Sequence, residues 1–353
     1  MIINSKSQTT MKNTNLMICD AIIHPGETAN LALPLPEYYS CTNFYMPIKV
    51  LHGKQAGPCL LIFAGVNGDE LNGIEIINRL LKAQQLQTIR GTLIAVPVLN
   101  VFGLINKSNL VPYETDLEQC FPGNSEGSYG ERIAEVFTRE ILAKASYCLE
   151  IVTGQINHDL LPQIYCDLDQ PESKRLARQF SAPVINHVKK DHSLRKTADD
   201  LNIPLLVYKA GEAQRFDESA INLGIKGIKN IMESLDMIDN EEPKVPSNVK
   251  PVFSQEQDWL RAHRSGVLVV EVELGQFIKK RQTIGRITDP FCADTIEPVK
   301  ASQDGVIVGI NRNPLIHEGQ SIFKIASFID NNQAEMTLEA WTEQQEAENS
   351  ELN

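Results

Sequence analysis

The sequence predicts an α/β fold, a mixed sheet flanked by helices, with a smaller all-β unit behind it. Three observations carry this. Continuous apolar runs of strand length alternate with stretches whose apolar residues recur at helical spacing. A charged segment with two prolines, 239–250, has the composition of a linker. Beyond it the chain changes to short β segments and Gly turns, and it nearly repeats itself.

Residues 1–15 are polar and read as a disordered lead, without the apolar stretch of a signal peptide. The α/β domain is expected over 16–238. Cys59 to Gly65 is a continuous apolar run that fits a buried strand. After the loop 66–72, Ile74, Ile77, Leu80 and Leu81 keep helical spacing. Thr92 to Leu99 reads as a second buried strand, and Glu131 to Leu142 as a helix with Ile133, Val136, Phe137 and Ile141 on one face. Tyr147 to Val152 and Leu205 to Tyr208 are further strands, and Phe216 to Leu235 a further helix.

The β unit is expected over 251–326. Gly266-Val267-Leu268-Val269 recurs as Gly305-Val306-Ile307-Val308, and Gln282–Ile287 recurs as Gln320–Ile325. Two copies are too few for a solenoid, so a compact two-fold sandwich of the lipoyl-like kind is the reading. No lysine stands at a hairpin tip in the context of a lipoylated or biotinylated domain, which leaves the unit structural. The tail, 327–353, has seven acidic residues and no Lys or Arg. It reads as solvated and partly disordered, with a helical piece around Met336 to Trp341.

With 33 Lys+Arg, 45 Asp+Glu and a formal charge of −12 over 353 residues, nucleic acid and anionic membranes are poor partners. No apolar run approaches a membrane span, and a cytoplasmic location is the expectation. The seven cysteines include no C-x-x-C pair and read as reduced, buried thiols.

Six ordered blocks carry more specific information. They are Phe63–Gly73 (FAGVNGDELNG), Val96–Gly103 (VPVLNVFG), Asp116–Gly123 (DLEQCFPG), Leu161–Ile164 (LPQI), Gly211–Glu218 (GEAQRFDE) and the β unit up to Ile325. Together they resemble the succinylglutamate desuccinylase/aspartoacylase family over about residues 16 to 326. The resemblance implies a zinc-carboxypeptidase-like domain, and in the family a zinc-dependent hydrolase acting on amide bonds.

A single-zinc hydrolase needs three protein ligands, an open position for water and a general base. The resemblance puts Glu70 at the family's glutamate ligand. Asn67 stands at the first histidine ligand, and Val152, in Glu150-Ile-Val-Thr153, at the second. Valine ligates nothing, and an amide oxygen suits hard cations better than zinc. The catalytic glutamate position reads Lys209, with Glu212 three residues on as a shifted alternative. The family binds its substrate carboxylate with arginines. In this chain Glu118 and Gln119 replace the Asn-Arg of one such block, and Asn109, Tyr165 and His158 stand at other arginine columns, which implies a neutral or acidic pocket.

No two His form an H-x-x-x-H pattern, and His187 and His192 lie on different faces of any helix. The leading expectation is a pseudoenzyme with no cofactor. It would be a ligand-binding or regulatory paralogue, taking a small acyl-amino-acid-like ligand, an active paralogue or a second copy as partner. Here Glu70 pairs with Lys209 in place of a metal. The alternative is an active metal-dependent N-acyl amino acid deacylase with a rearranged site, for instance on Glu70 and His158. A metal-independent enzyme on Lys209 and Glu212 is the third.

Overall fold

Ten residues, Gln55–Ala64, form the central strand, and their alternation explains the layers around it. Leu60, Ile62 and Ala64 face one apolar cluster with Ile76, Ile77 and Leu80 of the helix Leu71–Leu80. Leu61 and Phe63 face the other, where Phe63 meets Phe137 of the helix Tyr129–Glu140 edge-on at 5.6 Å. Both faces are therefore covered, which is why the run is apolar throughout. Ser128 and Glu131 form a reciprocal capping box that starts the second helix.

The computed structural model describes residues 12–37, 43–112, 115–187, 194–239, 250–291 and 296–351. Most of the expected lead and linker, with Cys41, Cys292 and His192, lie outside these. Among the described residues Cys19, Cys59, Cys120, Cys148 and Cys166 are free thiols. Burial pushes Cys59 up to about 12, so it stays a thiol.

Gln55–Ala64 runs parallel to Arg90–Val96 on one side and to Tyr147–Val152 on the other. Leu205–Lys209 is parallel to Tyr147–Val152, with Lys209 opposite Val152. The C-terminal ends of these strands thus open on one edge, the usual ligand side of a parallel sheet.

The large sheet has 13 strands and does not stop at the end of the α/β region. Val184–His187 pairs in parallel with Val252–Arg261, which pairs antiparallel with Ser321–Phe328. In return, His158–Leu160 pairs with Gly305–Asn311. The β unit is therefore joined to the α/β part by continuous hydrogen bonding. Each copy of the repeat is an antiparallel pair: Gly266–Val270 with Thr283–Thr288, and Gly305–Asn311 with Ser321–Phe328. Leu268, Ile284 and Ile287 of the first copy share one cluster with Ile307, Ile322 and Ile325 of the second.

The tail helix is longer than the expected piece, spanning Asn331–Glu351. Ala334, Leu338 and Trp341 recur at helical spacing and pack on Val306, Val308 and Phe328. No helix among the described residues is long and apolar enough to cross a membrane.

Candidate functional site

Several of these blocks meet one another in the fold. Gly68 lies so close to Gly103 that a side chain at 68 would collide with that backbone, and its N–H donates to the Ser108 carbonyl at 3.0 Å. Asn100 accepts from the Gly103 N–H at 2.7 Å and donates to the Val66 carbonyl at 3.2 Å. Asn72 accepts from the Asp217 N–H at 3.1 Å, and Asp217 caps the helix Glu218–Ser234. Asp116 caps the short turn Leu117–Cys120 by accepting from the Glu118 N–H at 3.0 Å.

Glu70 sits at the start of the helix Leu71–Leu80 and is buried. Its Oε1 accepts from Asn67 Nδ2 at 3.2 Å, and its Oε2 has no hydrogen-bond partner among the described residues. Burial is the main reason its carboxyl is pushed up to about 8, against the lowering effects of Asn67 and Lys209. Glu70 is therefore largely a neutral acid at pH 7. The expected ion pair is not formed: among the described residues no salt bridge joins Lys209 to Glu70. The buried carboxyl is compensated by a proton and an amide instead.

The cation in the buried layer comes from a residue the sequence reading missed. Arg195, on the helix Leu194–Asp200, places Nε 3.3 Å from Glu150 Oε2 and Nη1 2.9 Å from Glu118 Oε1. Glu150 is buried two residues before Val152 on the same strand. Burial and the neighbouring Glu150 push the Glu118 carboxyl up, while Arg195 opposes them. Glu118 Oε1 is thus engaged with Arg195.

The donor set does not fit zinc. Of the three positions where the resemblance places zinc ligands, Val152 is apolar and buried, Asn67 aims its NH₂ at Glu70, and Glu70 alone offers a carboxylate. No third acidic, His or Cys side chain joins Glu70 and His158 in a metal-ligating group among the described residues. The described group of that kind is Asp167, Asp169 and His187, away from these strand ends. Glu212 is tied to Arg215 Nε at 2.7 Å. Gln119 is exposed and donates to Asp116 at 3.4 Å, while Asn109 is exposed and its carbonyl accepts from Asn100 at 3.4 Å.

Of the residues at the expected arginine positions, only His158 lines the neighbouring cleft. A cleft of ≈ 480 Å³ opens between the α/β part and the β unit, and its lining includes Lys209, Arg261 and Lys324 and no Asp or Glu. Arg261 and Lys324 come from β-unit strands, where alternation alone makes them look like solvent-facing residues. His158 lines the same cleft and meets Trp259 edge-on at 4.9 Å. Burial pushes the His158 imidazole down, so the ring is neutral. Tyr165 stands under the cleft, accepting from Lys324 Nζ at 3.1 Å and donating to Gln257 Oε1 at 2.9 Å. Gln257 Nε2 donates to Gln163 Oε1 at 2.6 Å, and Asn186 Nδ2 donates to the same oxygen at 3.0 Å. This buried chain spans both parts of the molecule.

The pattern of the succinylglutamate desuccinylase/aspartoacylase catalytic domain matches residues 56–235. A curated relative, the N-alpha-acetyl-L-2,4-diaminobutyric acid deacetylase of Halomonas elongata, is 24% identical over 317 residues, covering 85% of this chain and 91% of its own. A succinylglutamate desuccinylase/aspartoacylase from Rhodobacter sphaeroides superposes with a TM-score of 0.75 at 21% identity, over 86% of this chain and 96% of that one. The product-bound ectoine utilization protein EutE from Ruegeria pomeroyi gives 0.74 at 20%, over 85% and 95%. At those identities the two structures speak to the fold, which they share with this protein. With its catalytic-domain pattern matched over half its length, the chain belongs to the succinylglutamate desuccinylase/aspartoacylase family.

Proposed function

We propose that this chain is a non-hydrolytic member of its family, a protein that binds a small ligand in the cleft between its two parts. The observation that carries this reading is the donor set at the strand ends. Glu70 is buried and accepts from Asn67, while Val152, where the resemblance places a ligand, is a buried apolar side chain. That leaves one carboxylate where a zinc site needs three protein ligands.

The rest of an amide-hydrolysing apparatus is altered in the same direction. A general base has to accept a proton from the attacking water. Lys209 stands at that position, and an ammonium has only donors. Glu212 is the nearest substitute in sequence, and its Oε1 is engaged by Arg215.

A second reading, an active metal-dependent deacylase, is favoured by the name of the Halomonas elongata relative. The two separate in an assay of purified protein, supplied with Zn²⁺, on N-acetyl amino acids. The non-hydrolytic reading expects no release of acetate above the uncatalysed rate. Turnover that a chelator abolishes would establish the second reading in its place.

A further inference from the structure

Lys324 is held at both ends of its side chain, by groups that carry no negative charge. On the strand Ser321–Phe328 it stands opposite Trp259 on one side and Gly309 on the other. A side chain at 309 would leave no room for it. A Cβ there would lie 2.9 Å from Lys324 Cβ, 2.8 Å from Leu160 Cδ2 and 3.1 Å from Trp259 Cη2. That space is filled instead by Leu160, Trp259 and the root of the lysine. At the far end Nζ donates to Tyr165 Oη at 3.1 Å. Tyr165 gives its own hydrogen to Gln257, and burial pushes its phenol up, so it offers Lys324 an oxygen without a charge. Gln257 and Asn186 both donate to Gln163 Oε1, which ties that tyrosine into a buried chain. Lys324 lines a cleft that has Lys209 and Arg261 in its lining and no Asp or Glu.

We propose that Lys324 is a nucleophilic amine, and that the compound it takes is a small aldehyde or ketone, held as a Schiff base. The proposal rests on the ligand-binding reading above only in admitting a small molecule to the cleft, and it holds whether or not the chain hydrolyses amides. The lone pair of the neutral amine adds to the carbonyl carbon, and the carbonyl π electrons pass to oxygen, which takes a proton. The carbinolamine so formed loses that oxygen as water. A carbonyl compound and one amine thus give one C=N bond and one water, with no oxidant or reductant needed. Lys209 lines the same cleft and has only donors, so it serves the oxygen on which negative charge develops. Trp259 and Leu160, also in the lining, receive the apolar body of the compound.

The surroundings favour the free amine. Burial is the main reason the Lys324 ammonium is pushed down to about 8; the like charge of Lys209 adds to it and Asp258 opposes both. The other titratable groups at the cleft are His158, a neutral ring, Tyr165, a protonated phenol, and Arg261, which stays charged. About one Lys324 in five is then uncharged at pH 7.4, against about one in a thousand for a lysine at its ordinary 10.5.

The test is reductive trapping on the full wild-type chain at pH 7, with butanal and cyanoborohydride, which reduces the imine to a stable butylamine. Peptide mass spectrometry follows each lysine with time, and the exposed Lys82 and Lys280 serve as references within the same molecule. Lys324 is butylated about 10-fold faster than either. The advantage fades by pH 10, where ordinary lysines also lose their protons. Lys324→Arg keeps a cation and removes the nucleophile, so the fast phase vanishes from the intact-mass trace. The wild-type trace decides by itself, so a variant that fails to fold obscures nothing. Acetic anhydride, an amine reagent without an aldehyde or ketone, separates ligand class from reactivity. If the anhydride singles out Lys324 and butanal does not, the carbonyl ligand is overturned. An advantage no smaller at pH 10 would overturn the free amine as its source. Labelling of Lys324 no faster than the references at pH 7 would overturn the whole proposal, and it would leave the acetate-release assay, and the non-hydrolytic reading with it, untouched.

Discussion

Behind Lys209 lies a buried layer of charge, and in front of it an open one. The buried layer holds Glu70 and Glu150, with the partly exposed Glu118 and Arg195 at its margin. Its charges are settled internally, by Arg195 between two carboxylates and by a proton on the third. The open layer holds Lys209, Lys324 and Arg261 with no acid in the lining. The difference shows where each charge can be compensated. Buried groups must find partners within the chain, whereas cations at a cleft can leave that to water or a ligand. Substitutions in the first layer should therefore act on stability, and those in the second on binding.

The largest effect expected is the return of chemistry. Asn67→His with Val152→His supplies three zinc donors with Glu70, whose Oε2 has no partner among the described residues. Zinc uptake should reappear in that double variant. Hydrolysis of N-acetyl amino acids should wait for Lys209→Glu in addition, and that step should raise the rate ~10²–10⁴-fold. Equal turnover with and without Lys209→Glu would show that position 209 has no such part.

Arg195→Met comes next. It leaves Glu150 and Glu118 unpaired in the buried layer, so urea unfolding at pH 7 should show a loss of about 3 kcal/mol. Adding Glu150→Gln should restore part of it, because removing both partners costs less than removing one. A loss below about 0.5 kcal/mol would mean that the layer is not held by this cation.

Arg195 is also the clearest case of what the sequence conceals. The stretch Ser193-Leu-Arg-Lys-Thr197 looks like an ordinary solvated helix start. Only the packing of Leu194 and Ala198 against the Ile203 and Leu205 side of the sheet turns the arginine inward. Lys324 and Arg261 are hidden for a related reason. On an isolated two-fold β unit they occupy outer positions, and only the pairing of Val184–His187 with Val252–Arg261 brings them over the strand ends. By contrast, the assignment of Asn67 and Val152 to ligand positions comes from the resemblance, since both fall inside motifs of fixed spacing, and it is the metal content that tests it. The central strand was legible because both of its faces are covered. The short strands His158–Leu160, Gln163–Cys166 and Val184–His187 were not, being too short to carry a period of their own.

The proton on Glu70 gives a smaller, pH-dependent effect. Its carboxyl is raised from an ordinary 4.5 to about 8, so between those values the folded protein holds a proton that the unfolded chain has lost. That contribution to stability is complete below 4.5, declines as pH rises by at most about 1.4 kcal/mol per unit, and is gone above about 8. Glu70→Gln keeps the neutral shape and removes the titration. Urea unfolding at pH 5.5 and pH 8 should show the wild type losing about 3 kcal/mol more than the variant. Parallel losses in the two proteins would place an ionised Glu70 in the folded state.

The smallest effect belongs to the open layer. Lys324→Met should change unfolding stability by less than about 1 kcal/mol, since no acid among the described residues forms a salt bridge with it. A loss as large as that of Arg195→Met would erase the distinction between the two layers.

The claim beneath both layers is that the residues at the strand ends do not make a zinc site. The direct measurement is metal content. The unmodified protein is purified without chelators, incubated with excess Zn²⁺, dialysed, and analysed by mass spectrometry for zinc per chain. With Asn67 and Val152 at two of the three ligand positions, the result should be below about 0.1 equivalent. Zinc at about one equivalent, lost in the Glu70→Gln variant, would contradict the account.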